Sequence, residues 1–255
     1  MLSSILSGDV ISIVSLLLQI PIILLSLSMH EAAHGYVAWK MGDPTARNLG
    51  RITLNPIKHL DPIGALCMLF FHIGWAKPVP IDPRNFKNPK RDFAITALAG
   101  PLSNIIMAFL SALVFLSIYS PLKGVAFEST FWLSVVQNTL DFFYIFHIVN
   151  IGIAVFNLIP IPPLDGSRIL NVILPPKTYF AIMKHERTIY YALLGWLLLG
   201  DIVVRSMLSV PMIAYNPVLS TIVKIFSLSE ILGFIITKIS SFIFYLWELI
   251  PFLNV

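Results

Sequence analysis

Charged side chains are scarce in this chain of 255 residues: 12% are Asp, Glu, Lys or Arg, whereas 57% are hydrophobic. A soluble domain carries about 25% charged residues, so this chain lacks the polar surface that a water-soluble fold needs. The mean hydropathy of +0.84 agrees, and such hydrophobicity also excludes intrinsic disorder. The scarcity of charge therefore indicates an integral membrane protein.

Cysteine is almost absent as well. Cys67 is the single cysteine of the sequence, which excludes a fold stapled by internal disulfides. No basic segment precedes the first apolar run and no cleavage-site pattern follows it. We therefore expect this run to be retained as a membrane span rather than removed as a signal peptide.

Long apolar runs dominate what is present. The first, residues 10–29, has no charged residue and matches the length that crosses a hydrocarbon core of about 30 Å. The runs predicted to span the membrane are residues 10–29, 93–119, 131–158, 188–204 and 231–250, with a sixth candidate at 218–228. We therefore predict an all-α polytopic membrane protein with five to six transmembrane helices in a single domain over residues 1–255.

Basic residues are concentrated in two stretches. Nine of the 17 lie between Lys40 and Arg91, and four more lie between Arg168 and Arg187. The positive-inside rule places both stretches in the cytoplasm and the N-terminus outside. Because solvated loops explain the net charge of +4, we expect no nucleic-acid partner.

The stretch between the first two predicted spans differs from the rest of the chain. It is rich in Pro, Gly and Asn, and residues 50–54 and 77–81 have the pattern of short strands. Residues 63–76 are apolar but too short to span. We predict a short, membrane-associated, β-like or re-entrant segment here.

The first apolar run leads into His30-Glu31-Ala32-Ala33-His34. Residues four apart project from one face of a helix, so the two imidazoles converge on one point. Zinc binds such nitrogens, and the intervening Glu can act as general base on a water molecule that the metal activates. A buried acid in a membrane helix costs about 2.5–3.5 kcal/mol, which favours a functional role over a polar packing cluster.

A catalytic zinc site needs a third protein ligand, and Asp165 is the candidate. It follows the third predicted span in the segment Asn157-Leu-Ile-Pro160-Ile-Pro-Pro-Leu-Asp165-Gly166. The prolines stop the helix, and non-helical backbone at membrane depth is tolerated where it is buried in protein or lines a cavity. By itself the segment is equally consistent with a plain loop that ends a helix.

Together, the two motifs resemble the site-2 protease family of intramembrane zinc metalloproteases, over about residues 26–171. The resemblance implies one zinc ion bound by His30, His34 and Asp165, with Glu31 as the catalytic base. It implies a catalytic core over about residues 10–175, followed by C-terminal helices over about 186–255. The substrate it implies is a membrane-spanning or membrane-anchored helix in the lipid bilayer, and a regulatory membrane partner is a further expectation.

Other segments extend the resemblance. Ala99-Gly100-Pro101-Leu-Ser-Asn104 is similar to an element of the family's second span, and residues 74–80 are similar to the small subgroup that lacks a PDZ domain. Asn104 and Asn157 are then candidates for contacting the substrate backbone or an oxyanion, although hydrogen bonds between helices explain them equally well. We expect a prokaryotic plasma membrane, with an active site about 9–15 Å of helix from the cytoplasmic boundary.

Two other functions remain open from the sequence. A membrane protease of the prenyl-protein-processing type also carries this helix motif but takes a downstream Glu as third ligand; the later glutamates Glu186, Glu230 and Glu248 have no partner motif, whereas Asp165 does. A membrane metal transporter or sensor with an intramembrane His/Asp site is the alternative outside the proteases. His59 is expected at the surface, whereas His72, His147 and Asp141 have no assigned role.

Overall fold

The protein was analysed as a computed structural model, which describes residues 10–62, 64 and 76–253. Its longer helices are α1 Val10–Met41, α2 Pro89–Leu122, α3 Thr130–Asn157, α4 Asp165–Ile173, α5 Pro176–Met183, α6 Glu186–Leu208, α7 Pro217–Ile225 and α8 Leu228–Glu248. Single helical turns lie at Thr45–Asn48, Pro56–His59, Pro83–Asn85, Pro211–Ala214 and Pro251–Leu253. The predicted all-α class is confirmed for these residues.

Four of these helices, α2, α3, α6 and α8, are long and apolar enough to cross a membrane. They correspond to four of the predicted spans, and they make the chain a multi-pass integral membrane protein. Helix α1 contains the predicted span at residues 10–29 and continues to Met41; its crossing of the membrane stays a prediction. The sixth candidate, at 218–228, was wrong as a span, because α7 has nine residues and rises about 13 Å.

The predicted strands at 50–54 and 77–81 are not confirmed. Neither stretch forms a strand within the described part of the chain, and one antiparallel bridge joins Leu60 to Ala76. Prolines at 78 and 80 remove the N–H groups that a strand ladder needs. Most of the predicted re-entrant element at 63–76 lies outside the described residues, as does His72.

Helix α2 is the central element and packs against α1, α3, α4 and α8. Its buried positions carry small residues such as Ala97, Gly100, Ala108 and Ala112, which let neighbouring helices approach closely. The apolar core forms where Ala108 and Ala112 meet residues of α3 and α8. Close packing around α2 brings polar side chains of three helices within hydrogen-bonding distance of one another.

The C-terminal end of α1 is tied to the segment that precedes α2 through Asp43, which is fully buried. Its carboxylate accepts hydrogen bonds from Thr45, from the backbone N–H of Asp82 and from the side chain of Asn85. Burial raises the pKa of Asp43, but these hydrogen bonds outweigh it and hold the pKa below its usual value. The carboxylate therefore fixes the relative position of the two segments.

Candidate metal centre

Helix α1 supplies both histidines of the predicted motif. His30 and His34 are buried, at 4% and 5% exposure, and Glu31 between them is half-buried. Because α1 runs uninterrupted to Met41, the motif lies inside a continuous helix. This continuity sets the two imidazoles one turn apart on the face that meets α2.

Asp165 comes from the first turn of α4, after the proline-rich loop. Gly166 lies against this loop so closely that an added Cβ would be 2.5 Å from the carbonyl oxygen of Ile159. The hydroxyl of Ser167 donates to the carbonyl of Leu164 and tightens the turn. Arg168 stacks over Phe93 of α2, with its guanidinium 5.1 Å from the ring centre. These contacts hold the aspartate against the histidines.

The three predicted metal ligands meet at one point. Oδ2 of Asp165 lies 3.0 Å from Nε2 of His30 and 3.1 Å from Nε2 of His34, and the two Nε2 atoms are 3.1 Å apart. Together these residues form a group that can hold a metal ion. The interpretation of Asp165 as the partner of the two histidines thus agrees with the geometry.

A buried hydrogen-bond network determines which nitrogen of His30 carries the proton. The side-chain amide of Asn150 donates to the carbonyl of Phe146, so its Oδ1 faces Asn104 as an acceptor. The amide nitrogen of Asn104 donates to that oxygen and to the carbonyl of Ser26. Oδ1 of Asn104 must then accept from Nδ1 of His30, 2.6 Å away, which leaves the Nε2 lone pair free for a metal.

The tautomer of His34 follows from a single contact. Its Nδ1 lies 2.7 Å from the carbonyl oxygen of Thr96 in α2, and a carbonyl can only accept. The Nε2 lone pair of His34 also points to the shared centre.

The arrangement of donor atoms fits zinc. At bond lengths of about 2.0–2.1 Å, two ligands of a tetrahedral zinc ion lie about 3.3–3.4 Å apart. The observed separations of 3.0 to 3.1 Å need an outward shift of only a few tenths of an ångström. Two nitrogen lone pairs and a carboxylate oxygen would repel one another without a cation between them, so the site is built for a positive ion.

Gly100 makes room for the two histidines. A Cβ at this position would be 2.6 Å from Cε1 of His30 and 2.6 Å from Cε1 of His34, and closer still to Nε2 of His34. No real side chain tolerates such contacts, and the imidazoles have no space to withdraw because they are buried. The glycine of the Gly100-Pro101 element therefore lets α2 pass directly beside the metal centre.

Glu31, one residue after His30 on α1, contacts the segment that precedes α2. Its Oε2 accepts a hydrogen bond of 2.7 Å from the backbone N–H of Val79. Gly35, one turn later, lies against Val79 and Ile52, within 3.2 and 3.3 Å of an added Cβ. The segment around Val79 thus covers α1 directly beside the predicted base.

The structure places four other residues that the sequence singled out. Asn104 is fully buried behind His30, so it orients the histidine and has no surface for a substrate. Asn157 donates to the carbonyl of Ile153 in its own helix, and its predicted contact with substrate stays a prediction. His59, expected at the surface, is 2% exposed. His147 lies away from the centre, between the Ala108 carbonyl and Ser240.

Sequence reasoning missed the partners of the histidines. Ser26 lies one turn before His30 on α1, and its hydroxyl accepts from Asn150, so the spacing of Ser26 and His30 was a usable signal. The Thr96 carbonyl and the Val79 amide are backbone groups, and no residue pattern reveals them. None of Glu186, Glu230 and Glu248 belongs to the metal-binding group found among the described residues.

Comparison with known proteins agrees with the site. The sequence profile of peptidase family M50 matches residues 19–200, which include all three predicted ligands and Glu31. The chain belongs to this family. The predicted membership of the site-2 protease family is thereby confirmed, and with it the assignment to metallopeptidases rather than to metal transporters or sensors.

Individual relatives carry names of the same kind. The chain is 39% identical over 206 residues to "Putative zinc metalloprotease YwhC" of Bacillus subtilis, covering 80% of this chain and 89% of that protein. It is 29% identical over 164 residues to "Putative zinc metalloprotease Rip2" of Mycolicibacterium smegmatis, covering 62% and 58%. The Rip2 protein of Mycobacterium tuberculosis matches at 29% over 165 residues, with the same coverage. No solved structure matches the chain significantly.

Proposed function

We propose that this protein is an intramembrane zinc metalloprotease that hydrolyses a peptide bond in or near a transmembrane helix of a membrane-anchored substrate. The observation that carries the proposal is the meeting of His30, His34 and Asp165 within 3.1 Å, beside helices long enough to cross a membrane. Membership of peptidase family M50 supports the same reaction.

The three ligands act through one atom each: Nε2 of His30, Nε2 of His34 and Oδ2 of Asp165. When bound there, zinc supplies a Lewis acid that lowers the pKa of water toward 7 and polarises the scissile carbonyl. Asn104 and the Thr96 carbonyl hold the two imidazoles in the orientation that presents these atoms. Replacing a residue that hydrogen-bonds to a metal ligand in this way typically lowers metal affinity 10- to 100-fold.

Glu31 is the proposed general base. It takes a proton from the attacking water and passes it to the leaving amine. Its position between the two histidines on α1 keeps its carboxylate within a turn of both ligands. The hydrogen bond from Val79 engages Oε2, which leaves Oε1 to receive the proton.

The substrate helix has to unwind before cleavage, because its own hydrogen bonds hide the scissile carbonyl. The unwound peptide could pair by strand addition with one of the two stretches of strand-like pattern, residues 50–54 or 77–81, and the second of these is disfavoured. The amide of Lys77 donates to the carbonyl of His59 and the amide of Val79 donates to Glu31, and the prolines at 78 and 80 have no amide N–H to offer. Residues 50–54 remain the candidate for strand addition.

We further propose that the site opens to cytoplasmic water in a prokaryotic plasma membrane. The cluster of basic residues from Lys40, in the last turn of α1, to Arg91, in the first turn of α2, supports this orientation. Regulation by a second membrane protein is part of the same proposal.

The natural substrate can be identified directly by experiment. Membrane proteomes of cells that carry the active protein are compared with those of cells that carry Glu31→Gln. We expect at least one membrane-anchored protein to accumulate uncut in the variant and to be cut when the active protein is restored. If no membrane protein differs between the two under any growth condition, a proteolytic function is contradicted.

A further inference from the structure

We propose that Arg51 is a positioning residue for Glu31. It holds residues 77–79 in the place from which the Val79 amide fixes the carboxylate. This inference rests on the proposed role of Glu31 as general base. It follows from two hydrogen-bonded links that the backbone connects: Arg51 binds the carbonyls of residues 77–78, and the amide of the next residue, Val79, binds Glu31.

The last of these contacts orients the base. The Val79 amide donates to Oε2 of Glu31 at 2.7 Å, and hydrogen bonds to a charged acceptor are stronger than those between neutral groups. A glutamate side chain has three rotatable bonds, and without a partner it would occupy several rotamers. One backbone donor thus restricts Glu31 to one rotamer and engages Oε2, so that Oε1 is left for the water.

Few neighbouring backbone amides could replace that of Val79 as the hydrogen-bond donor to Glu31. Its neighbours Pro78 and Pro80 have no N–H, so no other amide lies between those of Lys77 and Ile81. A small displacement of the segment cannot bring a neighbouring donor to Glu31. The position of Val79 therefore decides whether the base is held or free.

Arg51 sets that position. The side chain is 8% exposed, and its Nη2 donates to the carbonyl of Lys77 at 2.7 Å and to that of Pro78 at 3.3 Å. Within the described part of the chain, no carboxylate forms a salt bridge with it. A buried guanidinium held by carbonyls alone is costly, so simple packing is a poor explanation for an arginine here.

Residues 77–79 are also held by a second, weaker set of hydrogen bonds, in which Arg51 takes no part. The amide of Lys77 donates to the carbonyl of His59 at 2.8 Å, and the His59 ring bonds to the carbonyl of Thr53. Arg51 differs in that it binds the two carbonyls directly before Val79. Loss of Arg51 should therefore leave the segment attached but free to move at Val79.

The first experiment measures this movement without any cleavage. Amide hydrogen exchange over residues 77–81 reports only the amides of Lys77, Val79 and Ile81. In Arg51→Gln we expect exchange about tenfold faster than in the unmodified protein, and an intermediate rate in Arg51→Lys, which keeps a long side chain with a positively charged donor group. Arg84→Gln is the matched control, because Arg84 is exposed and pairs with Asp82; its exchange rate should not change.

The second experiment measures catalysis of a membrane substrate. In Arg51→Gln we expect kcat to fall about 10- to 100-fold, as for a misplaced catalytic group, with KM and zinc content unchanged. Arg51→Lys should recover part of the loss, and Arg84→Gln should cleave normally. An effect on kcat alone indicates a group that acts in the transition state rather than in substrate binding.

Three outcomes overturn the positioning role: unchanged exchange and kcat in Arg51→Gln, a rise in KM alone, or a loss of zinc in proportion to activity. If Arg51→Gln does not stay monodisperse in detergent, Arg51→Lys decides, with the same direction and a smaller effect. Cleavage by Glu31→Gln would contradict the proposed function instead. An inactive Glu31→Gln beside a fully active Arg51→Gln would contradict only the role of Arg51.

Discussion

Nδ1 of His30 lies 2.6 Å from Oδ1 of Asn104, and this contact determines which ring nitrogen faces the metal centre. The orientation of Asn104 depends in turn on Asn150 and Ser26, so three helices contribute to one tautomer. These three buried polar residues thereby serve the site rather than only the packing of helices.

Replacing Asn104 with Ala should weaken zinc binding. The Nδ1–H of His30 would lose its acceptor in a buried site, and the ring could rotate away from Asp165. We expect zinc affinity to fall about 10- to 100-fold, measured by competition with a chelator of known affinity. Ser117→Ala on the exposed part of the same helix should bind zinc normally, and unchanged affinity in Asn104→Ala would remove Asn104 from the site.

Gly100→Ala should disable the metal centre through a steric clash. Its Cβ would lie 2.6 Å from ring atoms of both histidines, so at least one imidazole must leave its position. We expect purified Gly100→Ala to carry little zinc. Gly233→Ala is the matched control, because no atom lies within 4 Å of the added Cβ there; full zinc content in both variants would contradict the packing described for α2.

Asp165→Ala should lose metal because one of three ligand atoms disappears. Metal analysis of the purified protein is expected to show substoichiometric zinc, with the helices intact by circular dichroism. Asp141→Ala, which removes an exposed carboxylate from α3, should retain zinc. A zinc content in Asp165→Ala equal to that of the unmodified protein would assign the third ligand to another residue.

The pH dependence of stability should carry a contribution from Asp43. Its pKa is lowered in the folded state, so its stabilising effect is complete above the unfolded pKa of about 3.9 and is lost as the pH falls through the lower folded value. Asp43→Asn should be destabilised by about 1–3 kcal/mol at neutral pH and should respond less to acid. Thermal unfolding in detergent between pH 7 and pH 3 measures both effects, and parallel curves for the two proteins would contradict the role of Asp43.

The sequence predicted the features whose residue types follow a characteristic length or spacing. Apolar runs predicted the four helices that can cross a membrane, and the i, i+4 spacing of His30 and His34 predicted one face of a metal site. The predicted strand at residues 77–81 does not form, because its prolines have no backbone N–H to donate and Arg51 binds its backbone carbonyls. The burial of His59 and the role of Asn104 depend on contacts between distant segments, which no local pattern contains.

The central claim is that Glu31 is the base of a zinc-dependent peptide hydrolysis. The most direct measurement compares purified unmodified protein with Glu31→Gln in liposomes, with zinc content determined in the same samples and a membrane-anchored substrate from the proteome comparison. We predict equal zinc in both, because no ligand changes, and cleavage only by the unmodified protein, because glutamine accepts no proton. Cleavage of the same bond by zinc-loaded Glu31→Gln at a comparable rate would contradict the claim.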